Sequence, residues 1–212
     1  NGIKVVVRPS TLKADEVIIY ATAKGGKSML SDADYFHGDY LAMVMQQSGI
    51  SKFSATELAK QLSGKSAHAS VDVGAYEHAV NASGSPKDIE TILQLMYLNF
   101  TAPRFDETDL QNLKNMYVPY FRNMEADPGY LMGKAFQETL YQNHVRRQAT
   151  SAAQIESLNL ETLASVHKQL FSYADDFRFV IAGNVDLKTL KPLVEKYIGS
   201  LPTSKKVEYA VV

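Results

Sequence analysis

Five histidines are the first candidates for chemistry in this sequence, because imidazole binds metal ions and transfers protons near neutral pH. They stand at positions 37, 68, 78, 144 and 167. No two lie three or four residues apart, so no helix presents two imidazoles on one face, as a helical zinc site requires. His68 and His78 could approach each other across a predicted hairpin, beside Glu77, although Glu77 and His78 point to opposite faces of a strand. Exposed strand histidines are the simpler interpretation, and an independent metal-dependent hydrolase built on these three residues is the alternative.

Two short runs imitate the end of a phosphate-binding loop, Gly26-Lys27-Ser28 and Gly64-Lys65-Ser66. Both lack the first glycine of the motif G-x-x-x-x-G-K-[ST], because Ala21 and Ala59 stand there. The second run also follows a predicted helix and precedes a predicted strand, which reverses the order that the motif needs. No G-x-S-x-G run supplies a nucleophilic serine. The residues alone therefore assemble neither a nucleotide site nor an active site.

Composition excludes several classes of function. The chain has 212 residues and a formal net charge of −1, which gives no electrostatic basis for binding nucleic acid or an anionic membrane. It has no cysteine, so disulfides, thiolate catalysis and Cys-ligated zinc are excluded. No apolar run approaches the ~20 residues that span a bilayer. Because the chain begins at Asn1 without an initiator methionine, we expect a processed product or a piece of a longer protein.

One apolar helix is predicted to lie at the centre of the core. Ser85 is a good N-cap, Pro86 suits the first helical position, and Asp88 can return its carboxylate to the free amides of the first turn. Pro103 ends the helix. Its buried face has helical spacing and consists of Ile89, Ile92, Leu93, Met96 and Phe100.

The other elements follow from the same rules of periodicity and capping. Strands are predicted at 3–8, 16–23, twice within 66–82, and at 177–185; helices are predicted at 33–47, 54–64, across 105–141 with a break or bend near Pro119 and 127–129, at 155–171 and at 187–198. Because the strands arrive as hairpins with helices between them, we predict a single α+β domain over 1–212. Its sheet is largely antiparallel, with helices packed on one face.

The order of several segments resembles one domain of the pitrilysin/insulinase (M16) family of zinc metallopeptidases, the inverzincin group whose active domains carry H-x-x-E-H. The segments that carry the likeness are 1–9, 15–26, 53–54, 64–65, 83–90, 100–104, 144–147, 176–185 and 197–202. The resemblance implies the metallohydrolase-like domain of the pitrilysin and mitochondrial processing peptidase type. It is greatest for the third of four homologous domains in long bacterial members, in which the first domain binds zinc and the other three are silent.

The motif positions of that family hold residues without metal chemistry. Alignment on Gly49 places Tyr40-Leu41-Ala42-Met43-Val44 at H-x-x-E-H, and Leu113 at the glutamate that supplies the third zinc ligand. Tyr40, Met43 and Val44 cannot bind zinc or take a proton from water. His37 lies nearby, but Tyr40 and Leu41 stand where its own glutamate and second histidine would be. The resemblance thus implies no catalytic or metal-binding residue here, with zinc held by another domain of the parent protein.

The function that the resemblance implies is indirect. The chain would be a catalytically silent domain that forms part of the wall of a clamshell chamber, in which another domain hydrolyses peptides. Its partners would be the other domains of the same polypeptide and peptide or unfolded protein substrates, in the periplasm or otherwise exported from a bacterium. Tyr76 and Arg104 are candidates to face the chamber, although a turn and a helix end explain both. The alternative is a non-enzymatic assembly subunit of the same fold.

Overall fold

The computed structural model describes residues 2–204. The outer limits of the predicted 1–212 domain therefore lie outside the described residues. None of the helices within 2–204 is long and apolar enough to cross a membrane.

A five-stranded mixed sheet forms the base of the fold. The strands are β1 (Lys4–Pro9), β2 (Val17–Lys24), β3 (Ala67–Val73), β4 (Glu77–Gly84) and β5 (Arg178–Gly183). Their order in the sheet is β1-β5-β2-β4-β3, with β1 and β5 parallel and every other pair antiparallel. The predicted α+β class and largely antiparallel sheet are confirmed. The expectation that strands pair as hairpins holds for β3 and β4 but is wrong for β1 and β2, because β5 lies between them.

Eight α-helices accompany this sheet within the described residues. They are α1 (Tyr35–Ser48), α2 (Ala55–Gln61), α3 (Ile89–Thr101), α4 (Glu107–Met124), α5 (Pro128–Leu140), α6 (Ala152–Ser157), α7 (Leu160–Phe171) and α8 (Leu187–Tyr197). The break expected at 127–129 is present, but Pro119 does not break α4. Pro119 has no N–H, so one carbonyl in the preceding turn of the helix lacks its usual donor. Because Pro119 is on the exposed side of α4, water can bind this carbonyl and the helix continues. The helix predicted at 155–171 is two helices, α6 and α7, because the chain is extended at Leu158.

The start of α3 differs from the predicted cap. Residues 86–88 form a turn of 3₁₀ helix and the α-helix begins at Ile89; Ser85 makes no side-chain capping bond. Asp88 does not return to its own helix, since its Oδ2 accepts a hydrogen bond of 2.9 Å from the backbone N–H of Ser66. Asp88 therefore ties the start of α3 to the approach of β3.

The two faces of the sheet differ in what covers them. The helical side is buried and includes Ile19 of β2 and Phe179 of β5. α3 lies on this side against β3 and β4, and its Ile92, Leu93 and Met96 are almost completely buried. On the opposite face, Val6, Val180 and Tyr20 are neighbours across three strands and are 59%, 39% and 50% exposed. One face thus holds the core, and the other presents an apolar row that is open in this chain.

Candidate functional site

Helices α1 and α4 carry the residues that the sequence analysis assigns to the zinc-binding motif of the family, and the two helices pack together. Val44 on α1 and Leu113 on α4 are each 1% exposed and belong to the main hydrophobic core. Tyr40 and Met43 are partly buried and pack against the same core. We call the contact region of Tyr40, Met43, Val44 and Leu113 the α1–α4 seam. These side chains provide no imidazole and no carboxylate, so the seam has no ligand set for zinc.

Tyr40 carries the one side-chain oxygen among the four seam residues, and its hydroxyl is unsuited to binding a cation. The ring of Tyr40 lies 5.0 Å from that of Phe36, centroid to centroid. Burial raises the pKa of the Tyr40 phenol, and a side-chain hydrogen bond with Thr150 opposes that shift. The phenol is therefore neutral at physiological pH and presents no anionic oxygen to a metal ion.

His37, the imidazole nearest to these positions in sequence, is a packing residue between α1 and α7. It is buried, and its Nε2 lies 3.2 Å from Nδ2 of Asn159. Asn159 in turn caps α7, since its Oδ1 accepts from the N–H of Thr162 at 2.9 Å. With Oδ1 used in the cap, the amide nitrogen faces the ring and donates to Nε2. Burial lowers the pKa of His37, so the ring stays neutral and its Nε2 is already engaged.

The metal site suggested for His68, His78 and Glu77 does not form. His68 pairs with Ser83 across the hairpin, whereas His78 pairs with Val73, five residues along β3 from His68. Among residues 2–204 no group of three or more metal-binding side chains could hold an ion. The expectation that the two imidazoles could meet was wrong. The sequence indicates that a hairpin forms, but not its register, and the register decides which residues face each other.

The simpler interpretation was that His68 and His78 are both exposed strand histidines. It is confirmed for His68 but wrong for His78, which is buried in the core. The ring edge of His78 meets Phe171 and Phe177 at centroid distances of 5.3 and 5.1 Å, and its Nδ1 accepts from the N–H of Gly26 at 3.2 Å. Burial lowers the pKa of His78 to about 4. Gly26 belongs to one of the two runs that imitate a phosphate-binding loop. A Cβ at this position would lie 2.4 Å from the carbonyl oxygen of Gly74, so close packing against the β3–β4 turn explains the glycine.

Comparisons with known proteins agree with this geometry. A family model described as the peptidase M16 inactive domain matches residues 157–212. The probable zinc protease PqqL of Haemophilus influenzae is 19% identical over 100% of this chain and 23% of its own length. PqqL of Escherichia coli is 23% identical, over 96% of this chain and 22% of its own length. The chain is therefore similar to M16 peptidases, and the part of it that matches a family model matches the inactive domain.

The crystal structure of the periplasmic protease PqqL from Escherichia coli has the same fold as this chain. The TM-score is 0.81 at 22% identity, over 99% of this chain and 23% of that chain. The chain therefore spans less than a quarter of the length of each of these PqqL relatives, and the name zinc protease belongs to those longer proteins.

Of the two residues expected to face a chamber, Arg104 is engaged locally. Its Nη2 donates to Asp106 Oδ2 at 2.6 Å, and Asp106 Oδ1 caps α4 by accepting from the N–H of Thr108 at 3.0 Å. Tyr76 differs, because it lies in the turn between β3 and β4 and is exposed. The helix-end interpretation describes the contacts of Arg104, and the turn expected at Tyr76 is present, with the side chain of Tyr76 exposed.

Tyr76 lines a polar cleft that sequence reasoning missed. The cleft has a volume of about 410 Å³, and its lining consists of Ser28, Tyr35, Ala75, Tyr76, Tyr141, His144, Arg146 and Arg147. We call it the arginine–tyrosine cleft. Its walls come from three separate segments: the stretch from β2 to α1, the β3–β4 turn and the stretch after α5. Adjacent arginines at 146 and 147 are a visible signal, but only the fold brings the tyrosines beside them.

Proposed function

We propose that this chain is a catalytically silent domain of a longer zinc peptidase. It would form part of the wall of a chamber that encloses peptides, while another domain binds zinc and hydrolyses them. The observation that supports the proposal is the α1–α4 seam, where a well-packed core holds the residues that our sequence alignment assigns to the H-x-x-E-H motif and the third ligand. The fold is retained and the metal chemistry is replaced by packing.

A role inside a larger polypeptide is supported by the open face of the sheet. Val6, Val180 and Tyr20 form an exposed apolar row, and such a patch is typical of a surface that a partner covers. The chain spans 23% of the Haemophilus influenzae relative, so other domains of one polypeptide are the partners of choice. We therefore assign this row to contact with a neighbouring domain.

The compartment is part of the same proposal. The Escherichia coli relative whose structure matches this chain is a periplasmic protease. We propose that the present chain is likewise exported to the periplasm of a bacterium. Fractionation of the source cells, with an antibody against the chain, tests this directly.

Zinc binding provides the main test. The purified 212-residue chain, stripped with a chelator, is titrated with zinc by calorimetry, and we expect no stoichiometric site. The polypeptide that contains this sequence in cells is then captured with the same antibody. We expect it to be several times longer than this chain, to hold one zinc ion and to hydrolyse peptides until the zinc is removed.

Two results would contradict the proposal in different ways. A stoichiometric zinc site of micromolar affinity in the chain alone would mean that the motif alignment is wrong. A long cellular polypeptide without zinc and without peptidase activity would instead favour the non-enzymatic assembly subunit.

A further inference from the structure

The arginine–tyrosine cleft has the size and chemistry of a binding site. Its volume of about 410 Å³ lies within the range of ligand pockets, about 300–1,000 Å³. Two arginines, a histidine and three tyrosines line it, and no aspartate or glutamate does. The walls therefore offer hydrogen-bond donors and aromatic surface, with a positive charge that lining carboxylates do not offset.

Arg146 is held in place at one side of the cleft. Its Nε donates to Asp32 Oδ1 at 2.6 Å and its Nη2 donates to the carbonyl oxygen of Leu30 at 2.9 Å. Its guanidinium carbon lies 5.0 Å from the centroid of the Tyr35 ring. These contacts fix the side chain, while Asp32 offsets its charge from outside the cleft.

Arg147 is the uncompensated cation. Among residues 2–204 no carboxylate lies within ion-pair distance of it, and the side chain is exposed. Its guanidinium carbon lies 5.4 Å from the centroid of Tyr141. Its backbone is fixed as well, because its carbonyl oxygen accepts from Gln137 Nε2 at 2.6 Å. An arginine stacked on an aromatic ring keeps its planar edge of N–H donors free for a carboxylate.

Two tyrosines at the cleft have much of their surface in solvent. Tyr76 is 56% exposed and Tyr141 is 42% exposed. A tyrosine offers an apolar ring together with a hydroxyl, and it loses little conformational entropy when it contacts a partner. The cleft thus combines a free guanidinium with aromatic surface, and an anion with an apolar neighbour complements both.

We propose that the arginine–tyrosine cleft binds an acidic segment of a peptide. A glutamate or aspartate carboxylate accepts two hydrogen bonds from Arg147, and an adjacent apolar side chain lies against Tyr76 and Tyr141. This inference rests on the proposed function in one respect: the peptide is a substrate or product in the chamber of the parent protein.

Fluorescence anisotropy with two labelled peptides tests the site. The probes are Gly-Glu-Phe-Glu-Gly and its amide counterpart Gly-Gln-Phe-Gln-Gly, each titrated with the 212-residue chain at low salt. We expect the acidic peptide to bind at least about 10-fold more tightly than the amide peptide, because a charge-assisted bidentate pair is lost in the latter. Arg147→Gln should weaken binding of the acidic peptide about 10-fold, and Tyr141→Leu about threefold.

The matched control is Arg122→Gln. Arg122 is an exposed arginine on α4 outside the cleft lining, at 3.5 Å from Glu156, so its replacement changes the net charge equally. The affinity of the Arg122→Gln variant for the acidic peptide should equal that of the unmodified chain. Circular dichroism verifies that every variant retains the fold.

Three outcomes would overturn the inference: equal binding of the two peptides, equal losses from Arg147→Gln and Arg122→Gln, or displacement of the peptide by inorganic phosphate at comparable concentration. None of these measurements uses zinc or hydrolysis. A parent protein that hydrolyses peptides while this chain shows no charge-dependent binding would overturn the cleft assignment alone. Charge-dependent binding together with an inactive parent would overturn the proposed function alone.

Discussion

The α1–α4 seam and the arginine–tyrosine cleft use helices of the same domain in opposite ways. In the seam, Val44 and Leu113 are closed into the core, and the partly buried Tyr40 is neutral. In the cleft, Arg147 and Tyr141 are exposed, and Arg147 has no ion-pair partner among the described residues. The comparison teaches that the residues aligned with a reactive motif are packed as structural side chains, whereas exposed cationic and aromatic groups lie at another place on the fold.

The largest effect on stability is expected when a charged side chain is placed in the seam. Leu113→Glu places a carboxylate where the side chain is almost completely buried, and it removes a large apolar group from the core. We expect the free energy of unfolding to fall by about 4 kcal/mol or more, which is most of the stability of a domain at the lower end of the ordinary range. Urea denaturation followed by circular dichroism measures the loss.

Met116→Glu is the matched control on the same helix. Met116 is exposed, so the same carboxylate there should change the free energy of unfolding by about 0.5 kcal/mol or less. Equal losses from the two variants would show that Leu113 is not a core residue, and the contrast between the seam and the surface would disappear.

The next largest effect is expected on acidification, which should lower the stability of the fold because histidines are buried in its core. The pKa of His78 falls from its ordinary value of 6.5 to about 4 in the fold. Between these values the unfolded chain binds a proton that the folded chain excludes, so stability is complete above pH 6.5 and decreases as the pH falls toward 4. His78 alone accounts for a loss of about 3 kcal/mol across this window. Burial also lowers the pKa of His37 and His167, which adds in the same direction.

Unfolding by urea at a series of pH values separates His78 from the exposed His68. In His78→Gln the amide oxygen can still accept from Gly26, and the decline of stability between pH 6.5 and 4 should become shallower. His68→Gln should leave the slope unchanged. The assignment fails if His68→Gln flattens the curve and His78→Gln does not.

A smaller loss is expected at the fixed wall of the cleft. Arg146→Gln removes the bonds to Asp32 and to the carbonyl of Leu30, which join the segment after α5 to the stretch before α1. Because Asp32 is largely exposed, we expect a loss of about 1 kcal/mol in the free energy of unfolding. Thermal denaturation detects it, and an unchanged midpoint would show that these bonds do not stabilise the fold.

The smallest effect is expected at Arg147. Its side chain contacts the ring of Tyr141 and is otherwise exposed, so Arg147→Gln should change the free energy of unfolding by less than about 0.5 kcal/mol. The same variant is expected to weaken the acidic peptide about 10-fold. A large loss of stability with unchanged binding would reverse the distinction drawn between the seam and the cleft.

Local signals in the sequence predicted their elements well. The capping box before α2 is present, since Ser54 N–H donates to Glu57 Oε2 at 2.9 Å and Glu57 N–H donates to Ser54 Oγ at 3.3 Å. Gly49 ends α1 with a positive φ of 88°. In both cases donor, acceptor and backbone constraint lie within a few residues, so a sequence window contains all the information.

Prediction failed where a distant partner competes. Asp88 had a local amide within reach, but it binds Ser66, 22 residues away. The register that separates His68 from His78 depends on where the hairpin turns. The alignment of the seam with the family motif stays a prediction; the burial of Val44 and Leu113 was predictable, because apolar side chains suit a core. The cleft was not, because Tyr76 and Arg147 meet only after the sheet and the helices have been assembled.

The parallel pairing of β1 with β5 has a consequence for the order of synthesis. Lys4 pairs with Arg178, so β1 leaves the ribosome long before β5, its neighbour in the sheet that the structure describes. Until β5 is made, β1 has no partner and one edge of β2 stays open. Such non-local pairing slows folding and leaves strand edges available for aggregation. We therefore expect this sheet to close late, with the nascent chain dependent on protection until β5 is inserted between two strands made long before.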